Sequence, residues 1–112
     1  MIRLRQVALV AHDLASAEAE LCAALSLEVC FRDPGVGSFG LHNGLMMIGD
    51  QFLEVVSPTR EGTTAGRLLS KRGGDGGYMA IYEVDDLDSR EQHLVDHGVR
   101  IVWRGDFATI RG

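Results

Sequence analysis

The sequence predicts an α+β fold made of tandem βαβββ modules, the second shortened to βαβ. Three observations predict it. Aligned by their helix caps, Gln6-Val7-Ala8-Leu9-Val10-Ala11-His12-Asp13-Leu14 lies over Met79-Ala80-Ile81-Tyr82-Glu83-Val84-Asp85-Asp86-Leu87, an internal repeat. Apolar residues run continuously or alternate in some stretches and recur every three to four positions in others, in the order strand, helix, strand. The 112 residues, 46% hydrophobic and 24% charged, are enough for one core and too few for two independent domains.

Leu4 to Ala11 is almost wholly apolar and carries the β-branched Val7 and Val10, which suits a strand covered on both faces. Asp13 caps a helix whose apolar positions Leu14, Ala17, Leu21, Ala24 and Leu25 form one face, with Glu18 and Glu20 assigned to the other, and the helix ends near Ser26. Glu28 to Arg32 reads as a second strand, closed by Asp33-Pro34-Gly35. Phe39 to Asn43 and Leu45 to Ile48 follow, joined at Asn43-Gly44 by either a hairpin turn or a bulge. Gly49-Asp50 is a two-residue turn into the strand Gln51 to Ser57. Thr63 to Arg72 has helical spacing, and Gly73, Gly74, Gly76 and Gly77 then release the chain. Those glycines precede a strand, whereas a phosphate cradle follows a strand and opens a helix, so they read as a hinge. Tyr78 to Val84 is a strand, Asp86 a cap, Leu87 to His97 a helix stopped by Gly98, and Val99 to Arg104 a further strand. The expected organisation is a first module over 1–58, a linker with a short helix over 59–77, and an incomplete second module over 78–112.

Composition excludes several classes. Charge is −5 with acids and bases interspersed, so no basic stripe points to nucleic acid or to a membrane surface. The five apolar residues Val7 to Ala11 are too few for a signal-peptide core, and a cytoplasmic location is expected. Cys22 and Cys30 lack metal-ligand spacing and read as free thiols.

Strand alternation puts Phe52, Glu54 and Val56 on one face and Leu53 and Val55 on the other. The 53/55 face suits the helices, so Glu54 points into a cup, where an unpaired carboxylate costs several kcal/mol and calls for a proton, an ion partner or a metal. The plainer alternative is a strand-end glutamate reaching water at the rim. Gln6 shares a face with Ala8 and Val10, and its carbonyl oxygen can ligate a hard cation; alone it more simply begins a strand. Its repeat mate is Met79, a strand thioether of the packing type. His42 is the one histidine that could enter the cup. His93 and His97 have metal spacing but lack the glutamate of an HExxH helix, and helix-end exposure explains them. Arg60, Arg67, Lys71 and Arg72 could hold an anionic ligand tail near the rim, but a solvated helix face is the plainer reading.

The βαβββ unit, opened by QVALVAHDL and closed by FLEVVSP, with YMAIYEVDDLDS opening a second unit, resembles the vicinal-oxygen-chelate (glyoxalase, bleomycin-resistance and dioxygenase-like) superfamily. From Glu54 through GTTAGRLLSKRGGDGGYMAIYEVDDL the chain is most similar to the methylmalonyl-CoA epimerase branch. This resemblance implies one divalent metal ion (Zn, Mg, Mn, Ni or Co) held in the cup by ligands from the first and last strand of each unit. The first-unit ligands would be Gln6, where many relatives have histidine, and Glu54. Met79 stands where a histidine is expected, and a fourth ligand would lie beyond Gly112. The acid/base glutamate expected before the third strand is missing, because Pro34 to Gly49 contains no acidic residue, so no catalytic residue is assigned. Two oxygen ligands fall short of the usual three- or four-ligand zinc site.

Two functional readings follow. In one, the chain binds a small organic ligand in a cup lined by His42, Phe52, Met79 and Ile81, without a complete metal site, as drug-sequestering members of the superfamily do. In the other it is part of a divalent-metal-dependent isomerase or lyase whose remaining ligands follow Gly112. A fragment inactive by itself is the bland third case. The shortened second unit leaves a strand edge open, so a homodimer is expected.

Overall fold

Strand β1 (Ile2–Val10) begins two residues before the apolar run, because Arg3 reaches outward to Asp50 at 2.7 Å and Glu83 at 3.4 Å. The computed structural model describes residues 1–105. Helix α1 (Leu14–Leu25) follows, with the Asp13 carboxylate accepting from the Ser16 backbone N–H at 3.0 Å. It ends at Ser26, which takes the left-handed conformation (φ 55°) usually left to glycine. Strand β2 (Val29–Phe31) is shorter than the expected 28–32, and Asp33 caps the 3-10 helix Pro34–Phe39 that succeeds it. Strands β3 (Leu41–Ile48) and β4 (Gln51–Pro58) form a hairpin closed at Gly49-Asp50. Helix α2 (Thr64–Arg72), capped by Thr63, leads to β5 (Gly76–Val84) and then α3 (Leu87–Asp96), capped by Asp86.

Two expectations are corrected. Asn43-Gly44 is neither turn nor bulge: β3 pairs with β4 in unbroken register from Leu41↔Pro58 to Ile48↔Gln51, and the irregularity lies instead in β2, between Val29 and Phe31. Gly44 is there to admit a neighbour, since a Cβ at that position would lie 1.9 Å from Oε2 of Glu18. The strand expected over Val99 to Arg104 does not form. A strand persists only where a ladder satisfies its N–H and C=O groups, as β3 does for β2; among the described residues nothing takes β3's place for 99–104. Residues 106–112 of the expected second module lie outside the described residues.

The sheet runs β2-β3-β4-β1-β5, with β1 parallel to β4 and antiparallel pairing across β2-β3 and β3-β4. From β1 to β4 the elements follow in the order β, α, β, β, β with the 3-10 helix between β2 and β3, and β5 joins the same sheet beside β1. By contacts the described residues form two compact units, Ile2–Glu83 and Met1 with residues 84–105. Among the described residues no helix is long and apolar enough to cross a membrane.

Both sheet faces of the larger unit are apolar, and each has its own cover. Met46 and Val55, fully buried, pack with Leu14, Ala17 and Leu21 of α1. On the opposite face Val10, Val56 and Leu41 pack with Ala65 and Leu69 of α2, with Val36 of the 3-10 helix and with Tyr78 of β5. Alternation alone leaves Val56 on the open face; the connecting helix covers that end instead, and Gln6, Phe52 and Glu54 stand on the remainder of that face.

A buried carboxylate held by two amides

Register places Gln6 opposite Phe52 and Ala8 opposite Glu54 across β1-β4, and Leu45 opposite Glu54 across β3-β4. Directly opposed residues share a face, so Gln6, Ala8, Asn43, Leu45, Phe52 and Glu54 lie together. Glu54 is only 6% exposed. Its carboxylate is satisfied by a route the sequence does not suggest: Gln6 donates through Nε2 to Oε1 and Asn43 donates through Nδ2 to Oε2, each at 2.5 Å. Two N–H donors, one per oxygen, answer the desolvation of the group without a cation.

Asn43, 3% exposed, is the site residue that sequence reasoning misses, because an Asn-Gly pair reads as a turn. The usable signal is alternation through LHNGLMMI, which sets Asn43 in phase with Leu41 and Leu45. Its amide orientation is fixed by a second partner, since Oδ1 accepts from the Asp33 backbone N–H at 2.9 Å. Its own carbonyl accepts from Nη1 of Arg32 at 2.8 Å. Arg32 in turn meets Oε1 of Glu18 through Nη2 at 3.1 Å. The helical pattern assigns Glu18 to the solvent side of α1, but it is 7% exposed, turned inward over Gly44, and its Oε2 has no hydrogen-bond partner among the described residues.

The remaining expected cup residues lie elsewhere. His42 stands opposite Ser57, in phase with Gly44 and Met46, hence on the α1 face; it is exposed and lines a cleft of about 590 Å³ with Arg32, Asp33 and Pro34. It is one residue out of phase with Glu54's face. Met79 is 50% exposed and Ile81 half-buried. The β5 residue packed on the Val10 and Val56 cluster is Tyr78, and alternation then turns Met79 and Ile81 away from it. Neither is a partner of the Glu54 carboxylate. Phe52 is half-buried and stands opposite Gln6. Of the linker cations, Arg67 bonds the Gly62 carbonyl and Thr64 hydroxyl, and Arg72 the Gly77 carbonyl, which ties down backbone.

These donors do not complete a divalent-metal site. Asn43 is locked with its N–H toward Glu54, Gln6 presents its N–H as well, and among the described residues no three His, Cys, Asp or Glu side chains are grouped to hold an ion.

The fold has close parallels among solved structures. A Streptomyces coelicolor methylmalonyl-CoA epimerase variant in complex with 2-nitronate-propionyl-CoA superposes with a TM-score of 0.79 at 24% identity, over 94% of this chain and 81% of that one. A methylmalonyl-CoA epimerase in complex with methylmalonyl-CoA and NH4+ gives 0.80 at 24% identity, over 96% and 80%. The epimerase from Mycobacterium tuberculosis gives 0.77 at 24% identity, over 89% and 67%. At that identity the likeness establishes the fold. Comparison with curated protein sequences gives no match. The profile of the glyoxalase-like domain matches residues 7–111, nearly the whole length, and the chain accordingly belongs to the glyoxalase-like domain family of the vicinal-oxygen-chelate superfamily.

Proposed function

We propose that this chain binds a small organic molecule on the Glu54 face of its sheet, with Glu54 as the polar group that receives it and Phe52 as an apolar wall. The observation that carries this reading is the Glu54 carboxylate itself, 6% exposed and held by two amides with no cation beside it among the described residues. A buried acceptor beside an apolar surface is the usual make-up of a small-molecule site. The competing reading, a divalent-metal isomerase or lyase, draws support from the juxtaposition of Gln6 and Glu54 but needs Gln6 to reverse its amide and further ligands to be supplied. Catalysis is not assigned to either residue.

Calorimetric titration of the chain, with and without EDTA, tests the proposal. Propionyl-CoA and methylmalonyl-CoA are the first probes, because similar solved structures hold such esters. Binding in EDTA that weakens at least about tenfold in Glu54→Gln is expected. Binding only after addition of Mn²⁺, Co²⁺, Ni²⁺ or Zn²⁺ would transfer support to the metal reading, and no binding under any condition would sink both. We also propose a homodimer, since among the described residues β5 is an edge of the sheet, with Met79 and Tyr82 50% and 57% exposed. Light scattering that finds a stable dilute monomer would contradict it.

A further inference from the structure

We infer that Glu54 meets its ligand through Oε1, by exchange of the Gln6 amide, while Asn43 is a positioning residue that keeps Oε2 engaged throughout. This rests on the ligand-binding reading above and deepens it, naming the oxygen that receives the ligand, the residue that yields and the chemistry of the incoming group.

The two amides look alike at the carboxylate and differ behind it. Asn43 is anchored at both ends: Oδ1 holds the Asp33 N–H at 2.9 Å, and the Asn43 main-chain carbonyl is held by Arg32, itself paired with Glu18. Turning that amide over would abandon the Asp33 N–H and set Oδ1 against Oε2 of Glu54, two losses in a site 3% exposed. Gln6 is only half-buried, and among the described residues its side chain makes no hydrogen bond other than the one to Oε1. It can leave, or reverse, at the cost of a single bond that an incoming donor replaces. The oxygen freed in this way accepts an N–H or O–H donor or a cation. A group that only accepts hydrogen bonds would meet lone pairs and is refused, so an acyl-CoA probe would meet Oε1 through an amide N–H or a hydroxyl of its CoA arm and not through its thioester carbonyl.

Ligand-free measurements on the whole chain decide this. In side-chain amide hydrogen-exchange spectra, the Asn43 amide hydrogens are expected to exchange at least about tenfold more slowly than those of Gln6. A crystal structure of Gln6→Ala should keep Glu54 on Asn43. Asn43→Asp separates anchoring from positioning: aspartate still accepts the Asp33 N–H, so that amide stays protected, but it no longer donates to Glu54, whose carboxylate should swing away. If Asn43 served only to fill its place in the strand, the near-isosteric aspartate would leave Glu54 where it is. Equal protection of both amides, displacement of Glu54 in Gln6→Ala, or an unmoved Glu54 in Asn43→Asp each overturns the inference. Should Asn43→Asp fail to fold, the exchange comparison and the Gln6→Ala structure decide it. None of these readouts uses a ligand, so failure of every probe in the titrations would count against the two functional readings and leave the contrast between Gln6 and Asn43 at the carboxylate to be decided here.

Discussion

Asn43 and Glu54 are not register partners, yet their side chains meet. Asn43 stands opposite Val56 and Glu54 opposite Leu45, and the amide crosses the β3-β4 ladder diagonally to reach the carboxylate at 2.5 Å. Diagonal neighbours on one sheet face are within reach of side chains of this length. Asn43→Leu preserves the strand and the volume but orphans a carboxylate oxygen in a site 6% exposed. A loss of about 1–3 kcal/mol in urea denaturation is expected. An unchanged midpoint would mean that water reaches Oε2.

Gly44 has no backbone need for glycine, since its φ is not positive; the space above it is what matters. A methyl group there would lie 1.9 Å from Oε2 and 2.9 Å from Cδ of Glu18. Gly44→Ala should therefore expel Glu18 from its contact with Arg32 and cost about 1–3 kcal/mol. Combining it with Glu18→Ala removes the clash, so the double mutant should be more stable than the sum of the two single losses, with a coupling of about 0.5–3 kcal/mol. Strict additivity in denaturation experiments would show that Glu18 does not occupy that space.

Asp85 carries the pH-sensitive contact of the smaller unit. The hydrogen bond from the N-terminal ammonium, at 2.9 Å, is the largest cause holding its carboxyl below the ordinary 3.8, with its own backbone N–H and charge attraction adding to it. Because the folded value is depressed, the contact favours the folded state above pH 3.8 and is lost as pH falls through the lower, folded value. Carbon-detected NMR should show Asp85 titrating below 3.8, and Nα-acetylation of Met1 should move it upward. Both partners are more than half exposed, so salt should weaken the effect.

Leu69 closes the Val10 and Val56 end of the cup face and is 1% exposed. Leu69→Ala should cost about 2–5 kcal/mol by thermal or chemical unfolding. A loss below about 1 kcal/mol would mean that α2 does not bury its apolar stripe on the sheet.

Much of this architecture is legible in the chain. Asp13 and Asp86 each stand before a helix as caps, the turn at Gly49-Asp50 joins two strands, and the repeat of β1 and β5 points to the family. Caps, turns and periodicity are local, written within four residues of where they act, which is why they can be read without coordinates. The site is legible only in part: Gln6 and Glu54 stand out, but Asn43 reads as a turn and His42 as a cup residue, a phase error of one position that exchanges faces.

The order of elements from β1 to α3, and a carboxylate at Glu54 on the face opposite Leu53 and Val55, can be read from the chain alone; that Gln6 lies on the same face follows from the β1-β4 register. The folded chain alone settles how that carboxylate is satisfied, which acid of α1 is buried, and that 99–104 does not form a strand. The physical reason is common to all three. Burial, pairing and hydrogen-bond partnership depend on residues distant in sequence, such as Asp33, Asn43 and Gln6 around Glu54, and no local pattern records which of them the sheet will bring together.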